Sequence, residues 1–187
     1  MKIILAIALI FVTATLAFAG GSALELRKEE VAGAAVEITR LRSERAREVI
    51  GTGVSVTPAV FKEVCGSVKK RAMAIAHEKS FKIRHAAVKN RNPKNAATAE
   101  ELSIINSFTD KDAQKSNDGI QTIEGQDYYR YSAPIYVEKA CLSCHGAKEN
   151  RPAFIVKKYP DDRAYGFKEG DLRGIISVLF PLDVEGL

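Results

Sequence analysis

Apolar and polar residues change their spacing several times along this chain, and each change marks an element. The first stretch is an apolar run from Ile3 to Phe18, preceded by Lys2 and closed by Ala17-Phe18-Ala19 before Gly20-Gly21-Ser22. It is shorter than the roughly 20 apolar residues a membrane span needs. A short basic start, an apolar middle and a small-residue exit are the parts of a secretory leader. Residues 1–19 are therefore expected to be a signal peptide cleaved after Ala19, leaving 20–187 as one exported, periplasmic domain with no stable membrane span.

From Ser22 to Val49 the apolar positions Leu24, Val31, Ala35, Ile38, Leu41 and Val49 recur at helical spacing among arginines and glutamates, which predicts a long helix stopped by Gly51-Thr52-Gly53. Thr57-Pro58 offers a cap followed by proline at the first helical position. Behind it Val60, Val64, Cys65, Val68, Ala72 and Ile75 form a stripe, so Cys65 should point inward. Phe81 to Val88 alternates like a strand, residues 89–95 read as a polar loop, and Thr98-Ala99-Glu100-Glu101 is a capping box opening a helix through Phe108. Residues 109–127 are polar with little periodicity and are expected to form a loop with at most a short strand. Tyr128–Val137 and Gly174–Leu182 are aromatic and β-branched and read as core strands. Helices first and strands later predict an α+β domain with an antiparallel sheet flanked by helices.

With 187 residues the chain can bury one core, and its net charge of +5 is spread along its length. No Lys/Arg cluster alternates with aromatics as a nucleic-acid face requires, so nucleic acid is not an expected partner. A weakly basic surface would suit docking to an acidic redox partner. The three cysteines change the picture more. Structural disulfides come in pairs in an oxidising compartment, so at least one thiol has another task.

Cys141-Leu142-Ser143-Cys144-His145 is C-x-x-C-H, the signature of covalent c-type haem attachment. Two thiols one helical turn apart can each add to a haem vinyl group, and the adjacent His is carried under the iron as proximal ligand. A zinc site would need a second pair of ligands, whereas Cys65, His77 and His85 are scattered. A thioredoxin-like pair lacks its β-α-β setting, and a plain disulfide leaves His145 unexplained. One covalent haem c is the expected cofactor. For the second axial ligand the residues offer Cys65, Met73, His77 and His85. Met73 reads equally as core filler, His77 and His85 as exposed polar residues, and Cys65 as a buried inert thiol or an iron-bound thiolate.

Several blocks occur in a distinctive order: Val64-Cys65-Gly66, Arg84 through Arg91-Asn92-Pro93-Lys94-Asn95 to Glu100 or Glu101, Tyr131 to Val137 running into Cys141–Gly146, and the segment from Tyr159-Pro160-Asp161-Asp162 to Arg173-Gly174. Together they are similar to the PAS-like single-haem c domain family, which occurs as exported proteins and as extracytoplasmic input domains of signalling proteins. The resemblance implies a PAS-like sheet with flanking helices and an iron held by His145 and Cys65. His85 departs from the pattern, standing where the family tends to carry a basic residue, so His85 and Met73 stay as alternative ligands. Arg91 and Arg84 are candidate partners for a haem propionate, since a guanidinium fork matches carboxylate oxygens; the Asn- and Pro-rich loop around Arg91 reads equally as a plain turn.

A thiolate opposite imidazole stabilises ferric iron and implies a low potential. The expected function is thus a non-enzymatic redox- or ligand-responsive haem module, with a small gas as candidate ligand and a membrane signalling partner to receive its output. The alternative is a periplasmic single-electron carrier working with a redox partner protein. Peroxide chemistry ranks behind both, because two protein ligands block the iron.

Overall fold

The computed structural model describes residues 23–109 and 115–182 in full, so the expected leader over 1–19 and its cleavage point lie outside the described residues. Among the described residues no helix is long and apolar enough to cross a membrane.

Helix α1 (Ile3–Val49) buries Val31, Ala34, Ala35 and Ile38, an i, i+3, i+4, i+7 set that gives it one dry face. A single glycine-ended turn, Ile50–Thr52 with Gly53 in the left-handed region, closes it where the sequence placed the stop. The next rod opens as expected: Thr57 Oγ1 accepts from the Val60 amide at 3.3 Å, with Pro58 at the first helical position. It has three parts, α2 (Pro58–Phe61), a π-helical turn over Lys62–Gly66, and α3 (Ser67–Lys79). Val64, Val68, Ala72 and Ile75 are its buried stripe, and α3 stops at Ser80 with φ 54°.

Strand β1 (Lys82–Ala86) leads to α4 (Ala99–Ser107), whose capping box is formed reciprocally by Thr98 and Glu101. Then come β2 (Asn117–Ile123), β3 (Gln126–Tyr136), the short helices α5 (Leu142–His145) and α6 (Ala153–Lys158), and β4 (Leu172–Pro181). The four strands make one antiparallel sheet in the order β1-β4-β3-β2. Helices α1 and α3 cover one face, over Phe81, Tyr129, Ala133, Ile176, Val178 and Phe180. On the second face α4 sets Ile104, Ile105 and Phe108 against Ile175 and Ala86. Because β4 is covered on both sides, Ile175–Phe180 is an unbroken buried run rather than an alternating one. The buried hydroxyls of Ser132 and Ser177 satisfy one another at 2.7 Å.

The α+β class, the antiparallel sheet and the long first helix are as expected. The stretch 109–127 is not. It holds β2, a full seven-residue strand joined to β3 by the two-residue turn Glu124-Gly125 with φ of 53° and 82°; residues 110–114 lie outside the described residues. The strand is an edge of the sheet and none of its residues is fully buried, with even Ile120 68% exposed, so no apolar alternation is imposed on its sequence. The Glu-Gly pair was the available signal.

Two backbone details shape the end of the sheet where the site lies. Pro134 is tolerated in β3 because pairing with β2 ends at Ser132, leaving β3 with one neighbour from there on. Gly174 has φ 151°, and a Cβ there would collide with the carbonyl oxygen of Ala86, so only glycine lets β4 approach the end of β1 this closely.

Candidate functional site

A cleft of about 570 Å³ opens between the C-terminal part of α1, the π-turn with α3, the ends of β1 and β4, and the segment carrying α5. That volume is ordinary for a cofactor pocket. Much of its wall is apolar, including Ala46, Ile50, Val56, Phe61, Val64, Val68 and Val137. Cys65, Met73, Arg84, His85, Arg91, Cys141, Cys144 and His145 all line it. His77 does not, and is exposed on α3.

On the α5 side, the turn Lys139–Cys141 runs directly into α5, which brings Cys141 and Cys144 one turn apart. Gly146 ends the helix by donating to the Leu142 carbonyl at 2.8 Å, and a Cβ at Gly146 would sit 2.7 Å from that oxygen. His145 Nδ1 bonds to the carbonyl oxygen of Ala164 at 2.7 Å. A carbonyl only accepts, so Nδ1 carries the hydrogen and Nε2 keeps its lone pair. Burial, reinforced by the charges of Arg173 and Arg91, pushes the ring's pKa down to about 3 and keeps it neutral. The ring of Phe167 stands edge-on to it, 6.2 Å between centroids.

Arg91 and Asp162 secure this wall from behind. Arg91 Nε donates to Asp162 at 3.2 Å, and Nη2 donates to the Cys144 carbonyl at 2.6 Å. Asp162 also accepts from Arg151 at 3.1 Å and from the Ala164 amide at 2.9 Å, so one carboxylate fixes both the motif and the carbonyl that orients His145. Burial opposes the Asp162 charge, but the Ala164 amide and the two guanidiniums outweigh it and hold the carboxyl below its usual range. Arg84 likewise spends its donors on protein: Glu101 at 2.6 Å and the carbonyls of Lys94 and Ala96 at 2.7 and 2.5 Å.

Cys65 lies in the π-turn, a geometry that recurs where a helix must aim one side chain. Its neighbours Val64 and Val68 are buried, while Cys65 is exposed to the cleft. Burial pushes its thiol up, Arg42 and Arg91 pull it down, and Cys141 pushes it up again. His85, on β1, accepts through Nε2 from Arg42 Nη2 at 2.6 Å, since a guanidinium can only donate. Met73 sits at the rim with 61% of its surface exposed.

Asp162, Arg151 and Ala164 were not singled out by the sequence reading for a role, nor were Arg42 and Arg173. The first three fall in stretches that carry no periodicity, and Arg42 is one arginine among many on α1. No three His, Cys, Asp or Glu side chains converge on a metal site of their own among the described residues. The donor set fits an iron already carried in a macrocycle: two motif thiols, an imidazole with Nε2 available, a further thiol in the same cleft, and apolar walls for a flat ring.

A family model described as Tll0287-like matches residues 24–181. No curated protein matches the chain. Among solved structures, the cyanobacterial haem protein Tll0287 is 38% identical, with a TM-score of 0.69, and the match covers 82% of this chain and 94% of that one.

Proposed function

This chain belongs to the Tll0287-like family, and from that premise we propose that it is a haem-binding module: an exported, periplasmic c-type haem protein that responds to redox state or to a small ligand. The observation that carries the reading is the convergence of Cys65, Cys141, Cys144 and His145 on one largely apolar cleft. A bound haem would supply a one-electron iron couple against largely apolar walls. Cys141 and Cys144 are the attachment sulfurs. His145 provides Nε2, with its tautomer and angle set by Ala164. Cys65 provides the second protein ligand, because His85 Nε2 is engaged by Arg42 and Met73 stands at the rim. Thiolate donation from Cys65 would favour the ferric state and a low potential, and two protein ligands would speak against catalysis.

In this reading Cys65 would be the side chain whose hold on the group depends on redox state, and its helix would carry the change to a separate redox or membrane signalling protein. The test is to express the chain with a c-haem maturation system. The mass should rise by one haem, and carbon monoxide should change the spectrum of the ferrous protein. A colourless protein of unmodified mass defeats the haem assignment. A haem protein whose ferrous spectrum ignores carbon monoxide is a plain electron carrier, which defeats the sensing half alone.

A further inference from the structure

The cleft is charged on one side of the ledger only. Arg42, Lys69, Arg84, Arg91 and Arg173 line it, and no Asp or Glu does. Two of these five have carboxylate partners: Arg84 is paired with Glu101, and Arg91 shares Asp162 with Arg151. Lys69 is exposed, where water screens it. Arg42 and Arg173 remain. They reach the cleft from separate elements, α1 and β4.

Neither has a carboxylate within ion-pairing distance among the described residues. Arg42 donates to His85 Nε2, a neutral acceptor, and Arg173 donates to the carbonyl of Lys89 at 2.9 Å while its guanidinium lies 5.4 Å from the Phe167 ring centre. Burial lowers the proton affinity of both, bringing Arg173 to about 10 with Arg91 and Arg42 adding repulsion. Both guanidiniums are partly buried in the same cleft and repel one another, an arrangement that an anion between them would relieve. The cleft therefore demands negative charge that the described residues do not supply.

We propose that Arg42 and Arg173 are the seat of the two propionate carboxylates of the haem, with His85 holding Arg42 in place. This deepens the haem assignment and rests on it. It also moves the propionate contacts from Arg84 and Arg91, whose guanidiniums are committed to Glu101, Asp162 and backbone carbonyls. Two unpaired guanidiniums meet two carboxylates, and a planar fork is the donor that matches a carboxylate edge. His85 acts here as a positioning residue, which also accounts for a histidine in the block where the resemblance leads one to expect a basic side chain.

The experiment uses the mature holoprotein with its haem carboxylates labelled with 13C through 5-aminolevulinate. Redox-difference infrared spectra should show the labelled carboxylate bands shifted in Arg42→Lys and in Arg173→Lys, and unshifted in Arg84→Lys and Arg91→Lys. The converse pattern, or no shift in any of the four, overturns the proposal. Should a lysine variant fail to mature, solid-state dephasing between 13C-carboxylate and 15N-guanidinium in the wild type reads the contact with no substitution, and its absence is equally fatal. A wild type of unmodified mass overturns the haem assignment as well, so the two failures are told apart before any variant is compared.

Discussion

The wall that carries His145 and the wall that carries Cys65 are held by different means. Behind His145 the structure is polar and closed: Asp162 accepts from Arg91, Arg151 and the Ala164 amide, Arg91 reaches the Cys144 carbonyl, and Ala164 returns its own carbonyl to the imidazole. Behind Cys65 there is a π-turn, held down by Val64 and Val68 on its dry side. A network of buried charge-assisted bonds resists displacement as a unit, because breaking one member strands another. A helix packed by valines can shift at less cost. Two ligands of one iron would thus stand on supports of unequal stiffness, and any change in coordination should be taken up by the Cys65 side.

The comparison can be broken from either wall. Cys65→Ala should have the largest effect, with complete loss of the thiolate signature in the ferric absorption and EPR spectra; an unchanged ferric spectrum would remove Cys65 from the iron. Next, Asp162→Asn should cost about 3 kcal/mol of unfolding free energy, the typical penalty for stranding a buried ion-pair partner. Asp162 has a lowered proton affinity in the fold, so its contribution is present above the ordinary carboxylate range and is lost as pH falls through its folded value. The variant's deficit in denaturant titrations should accordingly be full at neutral pH and shrink under acid; a deficit that is flat with pH would deny Asp162 this role. Gly146→Ala forces a Cβ to within 2.7 Å of the Leu142 oxygen and should cost about 2 kcal/mol, read in the same titration together with a lower yield of attached haem. Smallest of all, Thr57→Ala removes the cap of the rod that bears Cys65 and should cost about 1 kcal/mol. If Thr57→Ala perturbs the iron spectrum more than Asp162→Asn does, the softer support is the Cys65 wall, as argued; the reverse order would invert the comparison.

Legibility in the sequence followed burial. Val31, Ile38, Val68, Ile75 and the run Ile175–Phe180 announced their elements because each must hide from water. The Thr57-Pro58 start and the Thr98–Glu101 box were equally plain, since capping chemistry is local. Strand β2 was hidden because none of its residues is fully buried, so nothing imposed an apolar alternation on it. The motif and Cys65 could be read as residue types, and their meeting in one cleft could be expected from resemblance. The service of Asp162 to His145 could not, because it depends on carbonyl and amide positions that no spacing rule encodes. Arg42 was equally opaque: its neighbours on α1 are also arginines and glutamates, and only the folded backbone separates the one facing the cleft from those facing solvent.

The π-turn over Lys62–Gly66 stores one residue more than an α-helical turn would. Excising a single residue there would let α2 and α3 merge into one regular helix with their flanking faces nearly in phase, because the wider turn is what absorbs the extra residue. What would change is the aim of the side chains inside the turn itself, Cys65 among them, although none of the residues lining the cleft from α3 had been replaced. In this segment the number of residues in the turn, as well as their identity, sets where the Cys65 thiol points.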